Sequence, residues 1–572
     1  MNKKVLIILT CFLVLASCSD KNTKETVVTT PEIISSETVA PPTLPVTVTT
    51  SAPAVTEPVI NFSPTANDSV KKYGFRFEST AKLPARLNFW LKYSDAQGVF
   101  SFRGGNLRQN AAYGTLQDTV SGITKLWNIK TGSTAKGEGG TKGTYWTGNG
   151  WTGQPLLVKW SRTTKSHMNL EQWAKDDDEL VEAIYAAMDG NIYFIDIKSG
   201  EATRPKMKLG VPFKGSGSID PRGYPLLYLG QGDNYSEKSK SAKGLIINLL
   251  DCSVVYSFGQ KDSYAKRSWT AFDSSALVSN DTLVYPCENG VVYYIKLNSS
   301  YDEVSGRLEI APSISVKTRY GTSRGYTVGY EGSAAAFGKY IIFTENSGSM
   351  HCIDTETMQP VWVFDTWDDT NSSPAFSIEG DKKFIYIGCS LENKGKLIEE
   401  QKIVTDISGN EVTDKPANLL KMSGKSAFFK ITAEPGEEIW HIEQKIVTTK
   451  QVTGGVMTSA AIGKDYVYMS FATLSGKNVL SALSKETGDT VWSAPLEAYT
   501  WSSPIITTTK SGAEYVVQCD TSGNVYVFKA DTGEQVAMYE TNSMIEASPA
   551  AFNDIVVVGT KTKGIFGFSL QQ

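Results

Sequence analysis

From about Tyr73 to the C-terminus, the chain reads as short apolar runs broken by turn residues, with aromatics throughout. Few stretches carry apolar residues at helical spacing, and Thr, Val, Tyr, Ile and Gly are plentiful, so the pattern predicts strands joined by turns. Two earlier segments differ. Residues 5–16 form an almost unbroken apolar run behind Met1-Asn2-Lys3-Lys4. That run is too short for a permanent span, which takes about 20 apolar residues, and with its basic start it reads as an export signal over residues 1–17. Residues 18–70 are rich in Thr, Val, Ser and Pro, with no aromatic before Phe62. Such a segment buries too little apolar surface to offset its ordering entropy, so a disordered, semi-stiff linker is expected. Its Thr/Pro bias also permits O-glycosylation.

Leu15-Ala16-Ser17-Cys18 resembles the lipobox of bacterial lipoproteins. The resemblance implies cleavage before Cys18 and acylation of its thiol, and two or three acyl chains anchor a protein stably where one does not. Ser19 stands where Asp would signal retention in an inner membrane. Sorting to an outer membrane is therefore allowed, and a cell with one membrane would carry the protein on its outer face.

The folded part, residues 71–572, repeats. Leu483-Ser484-Lys485-Glu486-Thr487-Gly488-Asp489-Thr490-Val491-Trp492 recurs around Asp531-Thr532-Gly533 and Asp354-Thr355-Glu356-Thr357, and more weakly around Gly200 and Gly436. Each copy reads as a strand, a tight Asp/Thr/Gly turn and a second strand bearing Trp or an aliphatic residue. A second element alternates with it, a strand start of small residues. Ser372-Ser373-Pro374-Ala375, Ser502-Ser503-Pro504-Ile505 and Ala547-Ser548-Pro549-Ala550 are the best copies. Looser ones begin at Thr152, Ser216, Ser274, Ser333 and Thr458, which makes eight. Small residues suit the crowded innermost strands of a propeller, and the shorter spacings match one four-stranded blade.

This pairing of Asp-x-x-Thr-Gly-x-x-x-Trp turns with Ser-Ser-Pro strand starts resembles the repeat of the quinoprotein-like propellers. Phe102-Arg103-Gly104-Gly105, followed by Arg108, resembles the element that opens many such domains. The resemblance covers roughly residues 100–570. It implies an all-β fold, an eight-bladed β-propeller of four-stranded antiparallel blades, closed by pairing of N- and C-terminal strands. Residues 547–570 supply inner strands without an outer Trp strand, and Ile123-Thr124-Lys125-Leu126-Trp127 supplies one, so joining the two removes an open sheet edge. The family includes both enzymes and scaffolds, among them the lipoprotein of the outer-membrane β-barrel assembly machine, so the fold alone does not fix function.

Candidate chemistry is sparse. The family's enzymes bind pyrroloquinoline quinone and calcium at the axis, and alcohol-oxidising members carry adjacent cysteines. No adjacent cysteines and no haem motif occur here. His167, His351 and His441 stand apart in sequence, so no catalytic or metal-ligating residue is expected. Five cysteines beyond Cys18 read as buried small residues, with one disulfide left open. Asp176-Asp177-Asp178-Glu179 and Asp365 with Asp368-Asp369 lack calcium-loop spacing and read as solvated loops. The formal charge of -4 becomes about -6 once residues 1–17 are removed, which gives no general attraction to nucleic acid.

Two features invite recognition. Tyr145-Trp146-Thr147-Gly148-Asn149-Gly150-Trp151 sets aromatics among glycines and is expected to be a loop. Tyr145, Trp146 and Trp151 either bind a glycan or protein partner or pack over the ring. Residues 390–425 form a polar insertion, and its Glu400-Gln401-Lys402-Ile403-Val404-Thr405 repeats as Glu443-Gln444-Lys445-Ile446-Val447-Thr448. The two copies are expected to pair as extra strands. Two functions follow: a lipid-anchored scaffold without a cofactor, serving envelope proteins or glycans, or a quinone-dependent dehydrogenase of alcohols or sugars. The second needs a site of convergent carboxylates, an arginine and a planar aromatic.

Overall fold

The computed structural model describes residues 70–571, apart from residues 71, 136–144, 150–152, 233–241, 324–327, 400–401, 406–407, 416, 450–451 and 476–477. Among the described residues, eight larger sheets follow one another as blades. Blade 1 is built on Leu156–Lys159, Glu182–Ala186, Asn191–Asp196 and Met207–Lys208, and blade 2 on Ser218–Ile219, Leu226–Gly230, Gly244–Asn248 and Ser253–Phe258. Blade 3 comprises Leu277–Ser279, Thr282–Pro286, Val291–Lys296 and Ser313–Gly321, with Arg76–Ser79 added to its outer edge. Blades 4 to 7 begin at Ala335–Phe337, Ala375–Glu379, Ala461–Ile462 and Ile505–Thr508. Blade 8 takes Ala550–Phe552, Ile555–Thr560 and Gly564–Gln571 from the C-terminal end and Gly122–Ile129 from the N-terminal end. The expected closure is therefore present, and the ring has no seam edge.

The repeat in the sequence is the chemistry of the blade-to-blade contact. The Trp440 indole of blade 5 lies against Gly488 in the turn of blade 6 and donates to the Lys485 carbonyl, 3.2 Å away. Gly488 has φ of +79°, and a Cβ there would come within 2.7 Å of the indole, so glycine meets both demands. Trp362, Trp492 and Trp127 make the same contact with the carbonyls of Ala433, Ala530 and Ile197. The last of these joins blade 8 to blade 1.

Among the described residues, the small-residue motifs lie at the axial ends of the blades, where they form a hydrogen-bonded collar. The amides of Ser275, Ser333, Ser373, Ser459 and Ser503 each donate to the serine hydroxyl of the next blade, at 2.8–3.0 Å. The Ser548 amide donates to the Gly153 carbonyl, the Gln154 amide to Ser216 Oγ, and Ser275 Oγ to the Ser216 carbonyl, which completes the circuit. Only a small side chain lets neighbouring backbones approach this closely.

One end of the axis is closed by the chain's own residues 97–113, which bond to every blade. Gln97–Val99 pairs with blade 1, the Phe100 carbonyl accepts from Ile219 of blade 2, and Ala112–Tyr113 runs parallel to Ala550–Phe552 of blade 8. Arg108 donates to the carbonyls of Ser275 and Ala334 in blades 3 and 4. The Leu107 carbonyl accepts from Phe376 of blade 5. Arg103 donates to Ala460 of blade 6 and Pro504 of blade 7. The Phe-Arg-Gly element is thus a hub, and its arginines are buried at 0–1% exposure. Burial pushes the Arg103 guanidinium down to about 9 and that of Arg108 to about 10.

Three expectations change here. Tyr145–Thr147 is a strand paired with Ser133–Ala135, because the alternating Tyr, Trp and Thr side chains suit a hairpin. The two Glu-Gln-Lys-Ile-Val-Thr copies do not pair with each other. The second is the end of Glu438–Thr448, which pairs with Met422–Thr432 as the outer strand of blade 5, while Ile403–Thr405 of the first pairs with Glu411–Thr413. Asp368 and Asp369 are buried rather than solvated: Asp368 accepts the amides of residues 392–394 and holds the base of the insertion. No helix among the described residues is long and apolar enough to cross a membrane.

Candidate functional site

The axis opens at the end opposite the hub. Above Phe102 and the serine collar lies a cavity of about 260 Å³, lined by Lys214, Arg267, Trp269, Asp273, Glu288, Glu331, Asn371, Glu392, Thr453 and Met457. Most of these side chains come from the segments that lead into the inner strands, so Asp273, Glu331, Asn371 and Met457 each stand one or two residues before a small-residue start, while Glu288 lies in the turn between Thr282–Pro286 and Val291–Lys296 and Glu392 opens the insertion. Position in the repeat, and not any local motif, brings them together.

The mouth is divided in charge. Lys214 Nζ sits 5.5 Å from the Trp146 ring and 5.4 Å from the Trp269 ring, with Asp273 at 4.0 Å. An ammonium between two indole faces is attracted by both ring quadrupoles. Arg267 faces the Glu288 carboxylate at 3.7 Å and donates to the Glu288 carbonyl at 3.3 Å. Across the cavity the acids cluster: Asn346 Nδ2 donates to Glu331 and Asp369, at 3.1 and 3.3 Å, and Asp369 also bonds to the Glu392 carboxyl. Burial, followed by the charge of Glu331, pushes Asp369 and Glu288 well above the usual carboxylate range.

The sequence-selected residues fall partly on this site. Trp146 reaches the mouth through Lys214, whereas Tyr145 is 58% exposed beside it. Trp151 and Cys18 lie outside the described residues. The cysteines beyond Cys18 are free thiols, four buried and Cys252 half-buried. His167 contacts the Val304 carbonyl, and His441 pairs with Glu438 at 2.7 Å. His351 is enclosed by Phe75, Tyr320, Tyr330 and Phe343.

Burial holds the His351 imidazole down at about 3 against an ordinary 6.5. The unfolded chain therefore gains a proton on acidification before the fold does. The stability from the neutral ring is complete above about pH 6.5 and is lost as pH falls towards 3. His351→Phe is expected to remove this term. Between about pH 7 and pH 4.5, the native protein should lose about 2.5 kcal/mol more stability than the variant in denaturant titrations. Equal losses would show that His351 titrates normally.

In kind, the mouth holds the acids, arginine and planar aromatic that a quinone site requires. Arg267, Lys214 and Trp269 suit a planar anion, but both cations already face acids. Among the described residues, no three Asp, Glu, His or Cys side chains converge to hold a metal ion. The donor set therefore does not fit quinone together with calcium, and no reaction step is derived through that group.

The blades, turn glycines and tryptophan contacts define an eight-bladed β-propeller with an acidic axial mouth. Residues 315–571 match the family model described as outer membrane protein assembly factor BamB. No curated protein matches the chain. Among solved structures, BamB from Moraxella catarrhalis is similar at 14% identity, over 68% of this chain and 91% of that one, with a TM-score of 0.40. Quinohemoprotein alcohol dehydrogenase from Comamonas testosteroni is similar at 12% identity, over 84% and 81%, with a TM-score of 0.47. Quinohemoprotein alcohol dehydrogenase ADHIIG from Pseudomonas putida HK5 is similar at 11%, over 83% and 80%, with a TM-score of 0.49. The fold itself rests on the strand pairing described above.

Proposed function

We propose that the protein is a lipid-anchored extracytoplasmic scaffold whose propeller presents binding surfaces to envelope proteins or surface glycans and performs no catalysis. The observation that carries this reading is the insertion in blade 5. Leu397, Ile398, Ile403, Val404 and Val412 stand in or beside short strands and are 40–68% exposed. Apolar side chains grouped in this way on a rigid scaffold mark interaction sites. The match of residues 315–571 to an outer-membrane assembly factor supports the same role. Tyr145 and Trp146, at the axial mouth, are a second candidate surface, to which the sequence reading adds Trp151.

Crosslinking in intact envelopes tests the scaffold. The native chain should recover a defined partner, and Ile403→Asp with Val404→Asp should lose it with an unchanged melting temperature. Dye-linked oxidation of alcohols or sugars by purified protein after addition of pyrroloquinoline quinone and calcium would defeat the reading in favour of the dehydrogenase.

The anchor has its own test. Cys18→Ala should move the protein from the membrane fraction to the soluble fraction and abolish incorporation of labelled palmitate, since the acyl chains supply the membrane affinity. Retention of label in the variant would place the lipid elsewhere.

A further inference from the structure

We infer that the axial mouth is a binding site for an alkylammonium group. The four acids lining the cavity, Asp273, Glu288, Glu331 and Glu392, outnumber the two lining cations, Lys214 and Arg267. Those cations lie beside Asp273 and Glu288. Glu331 and Glu392, with Asp369 behind them, form an acidic wall that makes no ion pair among the described residues. Two further groups lack donors. Glu288 is 3% exposed and its carboxyl accepts no hydrogen bond among the described residues, with Arg267 3.7 Å away and Lys214 the other cation that bears on its charge. Asn371 Oδ1 is buried with no hydrogen-bond partner. The unsatisfied atoms of the mouth are thus acceptors.

A ligand that completes this site must bring positive charge and several N–H donors, which describes a primary ammonium with its three donors. A hard divalent cation favours several converged carboxylates, and no three Asp, Glu, His or Cys side chains converge among the described residues. The Trp269 ring and the Met457 side chain offer an apolar wall for an alkyl chain. Burial and mutual repulsion raise the Asp369 and Glu288 carboxyls, and a cation among them relieves that repulsion. The ammonium belongs either to a free amine or to a lysine side chain of a partner. The inference stands apart from the scaffold reading, because it requires neither a partner protein nor a quinone.

Calorimetric titration of the full chain with cadaverine, with Nα-acetyl-lysine methylamide and with calcium decides the matter. Both amines are expected to bind without added quinone, and calcium is not. Tighter binding of cadaverine assigns the site to free amines, and tighter binding of the blocked lysine assigns it to a protein side chain. Glu331→Gln should weaken both amines by about tenfold, the effect of losing one charge-assisted hydrogen bond. Glu392→Gln, at an exposed position where folding is not at stake, should weaken them in the same direction. No amine binding at millimolar concentration, calcium binding in place of amines, or equal affinity in native protein and Glu392→Gln would each overturn the inference.

Discussion

Removal of residues 545–572 is expected to abolish cooperative folding of the whole ring. The deletion takes three of the four strands of blade 8 and leaves Gly122–Ile129 with no partner from Gly564–Gln571. It exposes the flanks of blades 1 and 7 that pack on Phe552, Val556, Val558, Ile565 and Phe568. Burial of each large side chain of this kind contributes about 1.5–3 kcal/mol, so the loss from these five alone is as large as the roughly 5–15 kcal/mol net stability of a typical domain. The collar also breaks twice, at the Ser503–Ser548 and Ser548–Gly153 bonds. Thermal melting followed by near-ultraviolet circular dichroism should show no sharp transition in the truncated chain. A transition of unchanged midpoint would mean that the blades are stable without closure.

The second large effect belongs to the hub. Arg103→Ala removes the donors to the carbonyls of Pro504, Ala460 and Gln109, which lie 2.5, 3.0 and 3.3 Å from the guanidinium nitrogens. Those oxygens are left in a dry axis, where each unsatisfied polar group costs about 1–3 kcal/mol, so a total loss of about 3–5 kcal/mol is expected. Arg103→Lys should recover only part of it, because one ammonium does not reproduce a planar fork that reaches two blades at once. Denaturant unfolding measures both. A loss below about 1 kcal/mol for Arg103→Ala would show that water replaces the guanidinium.

The fold was legible because its determinants are local and repeated. Gly488 and Trp440, or Gly533 and Trp492, are each fixed by one contact, and the same contact recurs between successive blades. The serine starts were legible for the same reason, since every blade meets the axis. Blades 2 and 3 were fainter. Ser253–Phe258 and Ser313–Gly321 carry no tryptophan, so only their small-residue starts marked them. The mouth was not legible. Lys214, Arg267, Trp269, Glu288, Glu331 and Glu392 come from separate segments between Lys214 and Glu392 and share no motif. The available signal was the polar residue before a serine start, as in Asp273, Glu331 and Asn371, and it acquires meaning only once the ring is closed. Asp368 and Asp369 were misread because their sequence looks solvated, while the backbone amides of the insertion fold over Asp368.

Blade 8 also has a bearing on how the chain is made. Ile123 pairs with Leu570, so the first strand of that blade emerges from the ribosome hundreds of residues ahead of its partner. At about 5–20 residues per second, the delay lasts on the order of half a minute. Throughout it, Gly122–Ile129 offers an unpaired edge, and residues 97–113 have most of their eight blades still to come. Nascent rings held side by side would present complementary edges to one another, so strand exchange between chains is the characteristic error of this topology, and the order of synthesis sets how long the chain is exposed to it.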